Sequence, residues 1–288
     1  MNMNRLITAL GSTSLTVFLS FGLVEAPLAI AQPPTAPINR PPDPRVQQRK
    51  YHFADTNEDL SYALFVSSKV TKAKKAPLIV ALHGYGGDGN SLLRGNTLDL
   101  AEQGGYIVVG PMGYNTMGWY GSPVIVARGG PGQGRGRGAG GPPQAPEPPN
   151  LAELSEKDVM NVLGIVRNEF TVDDKRTYLM GHSMGGAGAL FLGPKYVDQW
   201  AAVASMAPAA FLMQPDSLAP VKDKMPLILA HGDADTVVPT DVGRRWAKKA
   251  TELQMKDFRY MELPGADHGT VITQSMPDIF RFFGEHTR

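Results

Sequence analysis

Gly181-His182-Ser183-Met184-Gly185 sets a serine between glycines where the apolar run Tyr178-Leu179-Met180 gives way to the small and apolar Ala187, Ala189 and Leu190. A strand that turns straight into a helix brings two backbones together and leaves the corner residue strained. Flanking glycines remove the Cβ atoms that would collide there. The pattern is the nucleophile elbow G-x-S-x-G. A serine hydroxyl is a weak nucleophile alone, so it needs a base for its proton, an acid to orient the base, and backbone donors for the oxyanion that forms after attack.

Around an elbow of this kind the partners follow in the order serine, acid, histidine. Of the six histidines only His268 and His286 lie beyond a suitable acid. His286 is among the last three residues, where chains fray. His268, in LPGADHGT, is expected on a glycine-containing loop after the last strand, from which an imidazole can swing over Ser183. For the acid, LAHGDADTVVP offers Asp233 and Asp235 just past a buried strand, at the sheet edge where such folds place their sites. Asp235 is the stronger candidate, and Asp233 is better suited to a local turn. The bland alternative for both is a turn and cap before TDVGRRWAKKA. The oxyanion donors expected are the backbone amides of Met184 and of Tyr85, the latter in His83-Gly84-Tyr85-Gly86-Gly87. His83 and His182 are expected to support the site structurally.

Other chemistries fit less well. Gly84-Tyr85-Gly86-Gly87-Asp88-Gly89 also matches the dinucleotide pattern G-x-G-x-x-G, but that pattern needs an acidic residue about twenty positions on, at the end of the next strand. The next strand, YIVVGP, ends in Gly110-Pro111. No cofactor is expected, and no metal, because no H-E-x-x-H or spaced His/Asp cluster is present. The absence of cysteine excludes a catalytic thiol and disulfides, and a net charge of +1 gives no electrostatic footprint for nucleic acid.

The elements that must carry these residues form an α/β pattern. YHFADT and LSYALFVSS flank Asn57-Glu58-Asp59 and are expected to form an opening antiparallel hairpin. PLIVALHG, YIVVGP, RTYLMGHS, WAAVASMAP, PLILAHGD and FRYMELPG then recur with helical segments between them. Strands so uniformly apolar need cover on both faces, as in a mostly parallel central sheet flanked by helices. Ser155 begins a capping-box pattern ahead of Val159, Leu163 and Val166. Residues 127–150, rich in Gly, Pro and Arg, cannot bury enough surface to offset their ordering entropy and are expected as a disordered insertion. An RGG-type RNA-binding role for Arg128, Arg135 and Arg137 is the weaker alternative, since such segments carry many more repeats.

Residues 1–31 have the layout of a secretory signal peptide: Arg5, an apolar stretch from Leu6 to Val24, and Ala29-Ile30-Ala31 as the cleavage pattern. The alternative is an uncleaved anchor, but Thr8, Ser12, Thr13, Ser14, Thr16 and Ser20 dilute the stretch. The protein is therefore expected to be secreted or periplasmic, with no stable membrane anchor after cleavage. Residues 32–49 are expected as a proline-rich linker, with the catalytic domain over 50–288.

The segment DDKRTYLMGHSMGGAGALFLGPKYVDQWAAVASMAPA, with HGYGG, HGDADTVVP and DHG, resembles the esterase D-like and feruloyl esterase-like group of α/β-hydrolases, a group that extends to polyhydroxybutyrate depolymerase-like enzymes. The resemblance implies an α/β-hydrolase fold, with Ser183 as nucleophile, Asp235 as acid and His268 as base. It also implies activity on acetyl, feruloyl or other short acyl esters, or on polyesters. The 127–150 insertion departs from the group's pattern. FLMQPDSLAPVKDKM is too short for a large helical cap, so an open cleft is expected, lined in part by Trp119, Tyr120 and Phe211. The partner expected is thus an ester, small or polymeric. The alternatives are a prolyl oligopeptidase-like serine peptidase and, from another class, a non-catalytic secreted binding protein.

Overall fold

The computed structural model describes residues 41–123 and 148–288. The expected signal peptide and nearly all of the Gly/Pro/Arg insertion lie outside these residues.

Eight strands form one sheet in the order β1-β2-β4-β3-β5-β6-β7-β8. β1 (Gln47–Phe53) and β2 (Glu58–Val66) make the expected hairpin, and Asn57 at its turn has a φ of 56°. β2 also pairs antiparallel with β4 (Ile107–Pro111). β3 (Ala76–Leu82), β5 (Val172–His182), β6 (Ala202–Met206), β7 (Leu227–Gly232) and β8 (Phe258–Leu263) complete the sheet, with β4 to β8 running parallel to their neighbours on that side. All six apolar runs in the sequence are strands.

The period-2 alternation of a strand distributes each run between two cores. In β3, Leu78, Val80 and Leu82 face one cluster while Ile79 and Ala81 face the other, and all are buried. α2 (Leu151–Glu169), α3 (Met184–Lys195) and α4 (Thr240–Glu252) cover the first face with Val159, Leu163, Leu190, Trp246 and Ala250. α1 (Asn96–Gly104) and α5 (Thr270–Glu285) cover the second with Leu98, Ala101, Val271, Ile279 and Phe283. Only a short 3₁₀ turn, Pro215–Val221, is inserted between β6 and β7.

Two boundaries differ from expectation. Ordered structure begins before Lys50: Val46 is buried and β1 starts at Gln47, because this stretch pairs along its whole length with β2. The part of the expected linker that follows Asp43 therefore belongs to the sheet domain. α2 begins at Leu151, and Ser155 lies inside it, fully buried. Its hydroxyl accepts the Tyr120 backbone N–H at 2.9 Å, so the serine joins two elements and caps nothing. Residues 148–150, the end of the expected insertion, form the turn into α2.

Candidate active site

Ser183 sits between the end of β5 and the first residue of α3, with φ 57° and ψ −115°. A non-glycine residue held there is strained. The glycines around it allow the strain by close approach: a Cβ on Gly181 would lie 2.0 Å from the Gly185 carbonyl oxygen, and one on Gly185 would lie 2.1 Å from the Leu82 carbonyl oxygen. The corner is tied down by Ser183 N–H donating to Met206 O at 2.9 Å and by Ala187 and Ala209 N–H donating to Ser183 O. Met184 opens α3, so its N–H falls outside the helical ladder.

The other residues come from loops at the same edge, after the carboxyl ends of parallel strands. Asp235 follows β7 and His268 follows β8. His268 Nδ1–H donates to Asp235 Oδ2 at 2.7 Å, with the carboxylate fully shielded from solvent and the imidazole 17% exposed. Asp235 Oδ1 accepts the N–H groups of Val237 and Val238 at 2.8 and 2.9 Å. Burial alone would favour the neutral acid. Hydrogen bonds from His231, His268 and the Val238 amide outweigh it and hold the carboxyl well below its usual range. Asp233 is exposed and accepts the Gly265 N–H at 2.7 Å, so it links the two loops instead of facing the base. His286, at the far end of α5, bonds the Phe282 carbonyl.

His182 ties the corner at Ser183 to the loop that carries His268. It directly precedes Ser183, its Nε2–H donates to the His268 carbonyl oxygen at 2.7 Å, and the two rings lie 4.6 Å apart. With Asp235 occupying Nδ1, Nε2 is the nitrogen of His268 left for Ser183.

The loop after β3 carries His83 and Tyr85. The buried His83 ring lies 2.8 Å from both the Gly84 and Met112 carbonyl oxygens, and it bridges this loop to the loop after β4. The Gly86 and Gly87 amides donate to Thr116 O and Gly84 O. Tyr85 has a half-exposed ring whose centroid is 6.4 Å from that of Trp119. Trp119 is thus at the rim and Phe211 is half-buried on the loop after β6. Tyr120 is elsewhere: it is fully buried, and its hydroxyl donates to His83 O at 3.2 Å. A positive φ of 55° turns its ring inward against Gly188 of α3, so Tyr120 props the loop and does not line a cleft.

Residues 123–262, which take in Ser183 and Asp235, match the family model described as "Putative esterase". The fold is that of the α/β-hydrolases. Over 217 residues the chain is 26% identical to "Putative esterase NocK" of Nocardia uniformis subsp. tsuyamanensis, an alignment covering 75% of the chain and 57% of the relative. It is 30% identical over 114 residues to "Acyl-protein thioesterase 1" of Emericella nidulans, covering 37% of the chain and 46% of the relative. The chain thus spans about half the length of the curated relatives it matches. Among solved structures, the fold is similar to a ferulic acid esterase from Anaeromyces mucronatus, with TM-score 0.62, 18% identity, and coverage of 84% of this chain and 90% of that one. An S-formylglutathione hydrolase from Agrobacterium tumefaciens gives TM-score 0.60 and 14% identity, covering 84% of this chain and 95% of that one.

Three supports of this candidate site carry no sequence motif. Arg245 of α4 gathers the carbonyls of Ala210, Phe211 and Met213, fixing the loop after β6. Asp158 of α2, fully buried, accepts Tyr51 O–H and the amides of Gly113 and Tyr114, anchoring the loop that leads to Trp119. The third is His231, four positions before Asp235 on the inward end of β7, and that spacing is the one signal that could have found it.

The buried histidines set a pH dependence. Burial first, and then the neighbouring His268, push the His182 pKa from 6.5 down to about 3, and burial lowers that of His83 as well. Below pH 6.5 the unfolded chain therefore takes up protons that the folded chain refuses, so stability falls as pH drops through this window. The expected contribution of His182 between pH 6.5 and 5 is a loss of about 1–2 kcal/mol, allowing for the part of its ring that reaches solvent. Urea unfolding at pH 7 and pH 5 measures it, and His182→Gln should flatten the slope.

Proposed function

We propose that the protein is a secreted serine hydrolase that cleaves carboxylic esters through an acyl-enzyme intermediate. The observation that carries this reading is the buried Asp235 carboxylate bonded to His268 Nδ1 at 2.7 Å, on the loop tethered to the residue before Ser183. Ser183 Oγ attacks the ester carbonyl while His268 Nε2 takes its proton. Asp235 holds the ring in the Nδ1–H tautomer and stabilises the imidazolium. The oxyanion is received by the backbone amides of Met184 and Tyr85. His268 then protonates the departing alcohol, and a water activated by the same nitrogen releases the acid.

On the substrate side, the reading is an open cleft for acetyl, feruloyl or polyester acyl groups, with Trp119 and Phe211 at its rim beside the exposed Tyr85 and Leu212 rims. Export is supported by the n-region, apolar stretch and Ala29-Ile30-Ala31 pattern.

A fluorophosphonate probe is expected to modify Ser183, identified by peptide mass, and p-nitrophenyl acetate should be hydrolysed. Comparing acetyl, feruloyl and polyester substrates, and an ester with an amide of one acyl group, then fixes the acyl class and separates esterase from peptidase. Absence of labelling together with absence of turnover would instead indicate a binding protein on a hydrolase fold.

A further inference from the structure

We propose that His231 is a positioning residue for the catalytic acid: a buried imidazole whose Nε2–H steadies the Asp235 oxygen that holds His268. The inference rests on the serine hydrolase reading above. His231 is fully buried at the end of β7. Its Nε2 lies 2.9 Å from the Val238 carbonyl oxygen and 3.4 Å from Asp235 Oδ2. A carbonyl only accepts, so Nε2 carries the proton, shared between the two oxygens.

Nδ1 is buried with no hydrogen-bond partner. The ring cannot shift: a Cβ on Gly243 of α4 would lie 2.5 Å from that nitrogen, leaving no space for a side chain between helix and ring.

The contacts close a circuit. Val238 gives its N–H to Asp235 Oδ1 and takes the His231 proton on its carbonyl, while the same proton faces Oδ2. The carboxylate is thereby held through both oxygens by groups other than the base. His268 Nδ1 bonds the same Oδ2, and loosening the circuit would let the carboxylate rotate and the imidazole drift from Ser183.

His231→Met removes the donor at similar bulk. It is expected to lower kcat on p-nitrophenyl acetate about tenfold, the weight of one hydrogen bond to a charged group, with KM changed less than about twofold. His231→Gln, whose amide nitrogen takes the place of Nε2, should recover most of that loss. In an Asp235→Asn background the Met substitution should cost less than about twofold more, since a residue acting through Asp235 loses its effect when the carboxylate is gone.

A folded His231→Met protein with kcat within about twofold of the parent overturns the proposal. So does a Gln variant no better than Met, or an equal loss in both backgrounds. If His231→Met does not fold, His231→Asn, too short to reach Oδ2, takes its place with the same expectations. Failure of both to fold marks a purely structural role and also overturns it. A parent protein that fluorophosphonate does not label defeats the hydrolase reading instead, and is distinguished because no variant is then needed to see it.

Discussion

Ser183→Ala is expected to lower kcat by about 10⁶-fold, because a nucleophile and its base act as one unit and removing either removes their joint contribution. The fold should survive, since the Ser183 hydroxyl anchors nothing: the corner is held by backbone bonds from Ser183, Ala187 and Ala209. Ser183→Gly sharpens the test. Both variants lack the nucleophile, but only glycine accepts a φ of 57° and ψ of −115° without strain. The glycine variant should be as inactive as the alanine variant and more stable than it by about 1 kcal/mol. Opposite signs for activity and stability at one position are the mark of strain kept for chemistry. Thermal melts and turnover on p-nitrophenyl acetate measure both quantities. A Ser183→Ala protein within about tenfold of the parent would remove Ser183 from the mechanism.

Asp235→Asn should cost about 10⁴-fold in kcat with little change in KM, for a reason visible in the partners of each oxygen. Oδ1 accepts two backbone N–H groups, from Val237 and Val238, while Oδ2 accepts His268 Nδ1–H. An asparagine must keep its oxygen on the two amides, which leaves its NH₂ facing Nδ1. That nitrogen then has to accept, the ring proton moves to Nε2, and the nitrogen facing Ser183 can no longer take a proton. Fluorophosphonate labelling of the variant should slow in parallel with turnover. A variant whose labelling rate and kcat stay within about tenfold of the parent would show that Asp235 is not the acid.

Much of this was legible in the sequence, for identifiable reasons. The strands were readable because parallel strands buried on both faces leave long apolar runs, as in Leu78–Leu82. The elbow was readable because only glycine tolerates the contacts at Gly181 and Gly185. Asp235 and His268 were found by chain order and loop position, and the structure brings them together.

What escaped was decided by packing between distant segments. Ser155 has the spacing of a cap, yet the loop at Tyr120 claims its hydroxyl and the helix runs through it. Tyr120 neighbours the rim residue Trp119, but a left-handed backbone at both positions sends its ring into the core. Val46 and β1 extend the sheet into a proline-rich stretch because β2 supplies a partner that composition does not reveal. His231 reads as one more residue of an apolar strand unless its spacing four positions before Asp235 is noticed.

The imidazole is borne by the loop leaving β8, the outermost ladder on its side and the least sheltered of the parallel strands. The serine leaves β5, sandwiched between two neighbours deep in the sheet. The two halves of the proposed proton-transfer pair therefore belong to regions of unequal resistance to opening. What keeps the protein folded and what keeps it competent are then separate quantities, the second set by peeling of a margin, and improving the centre would leave it untouched.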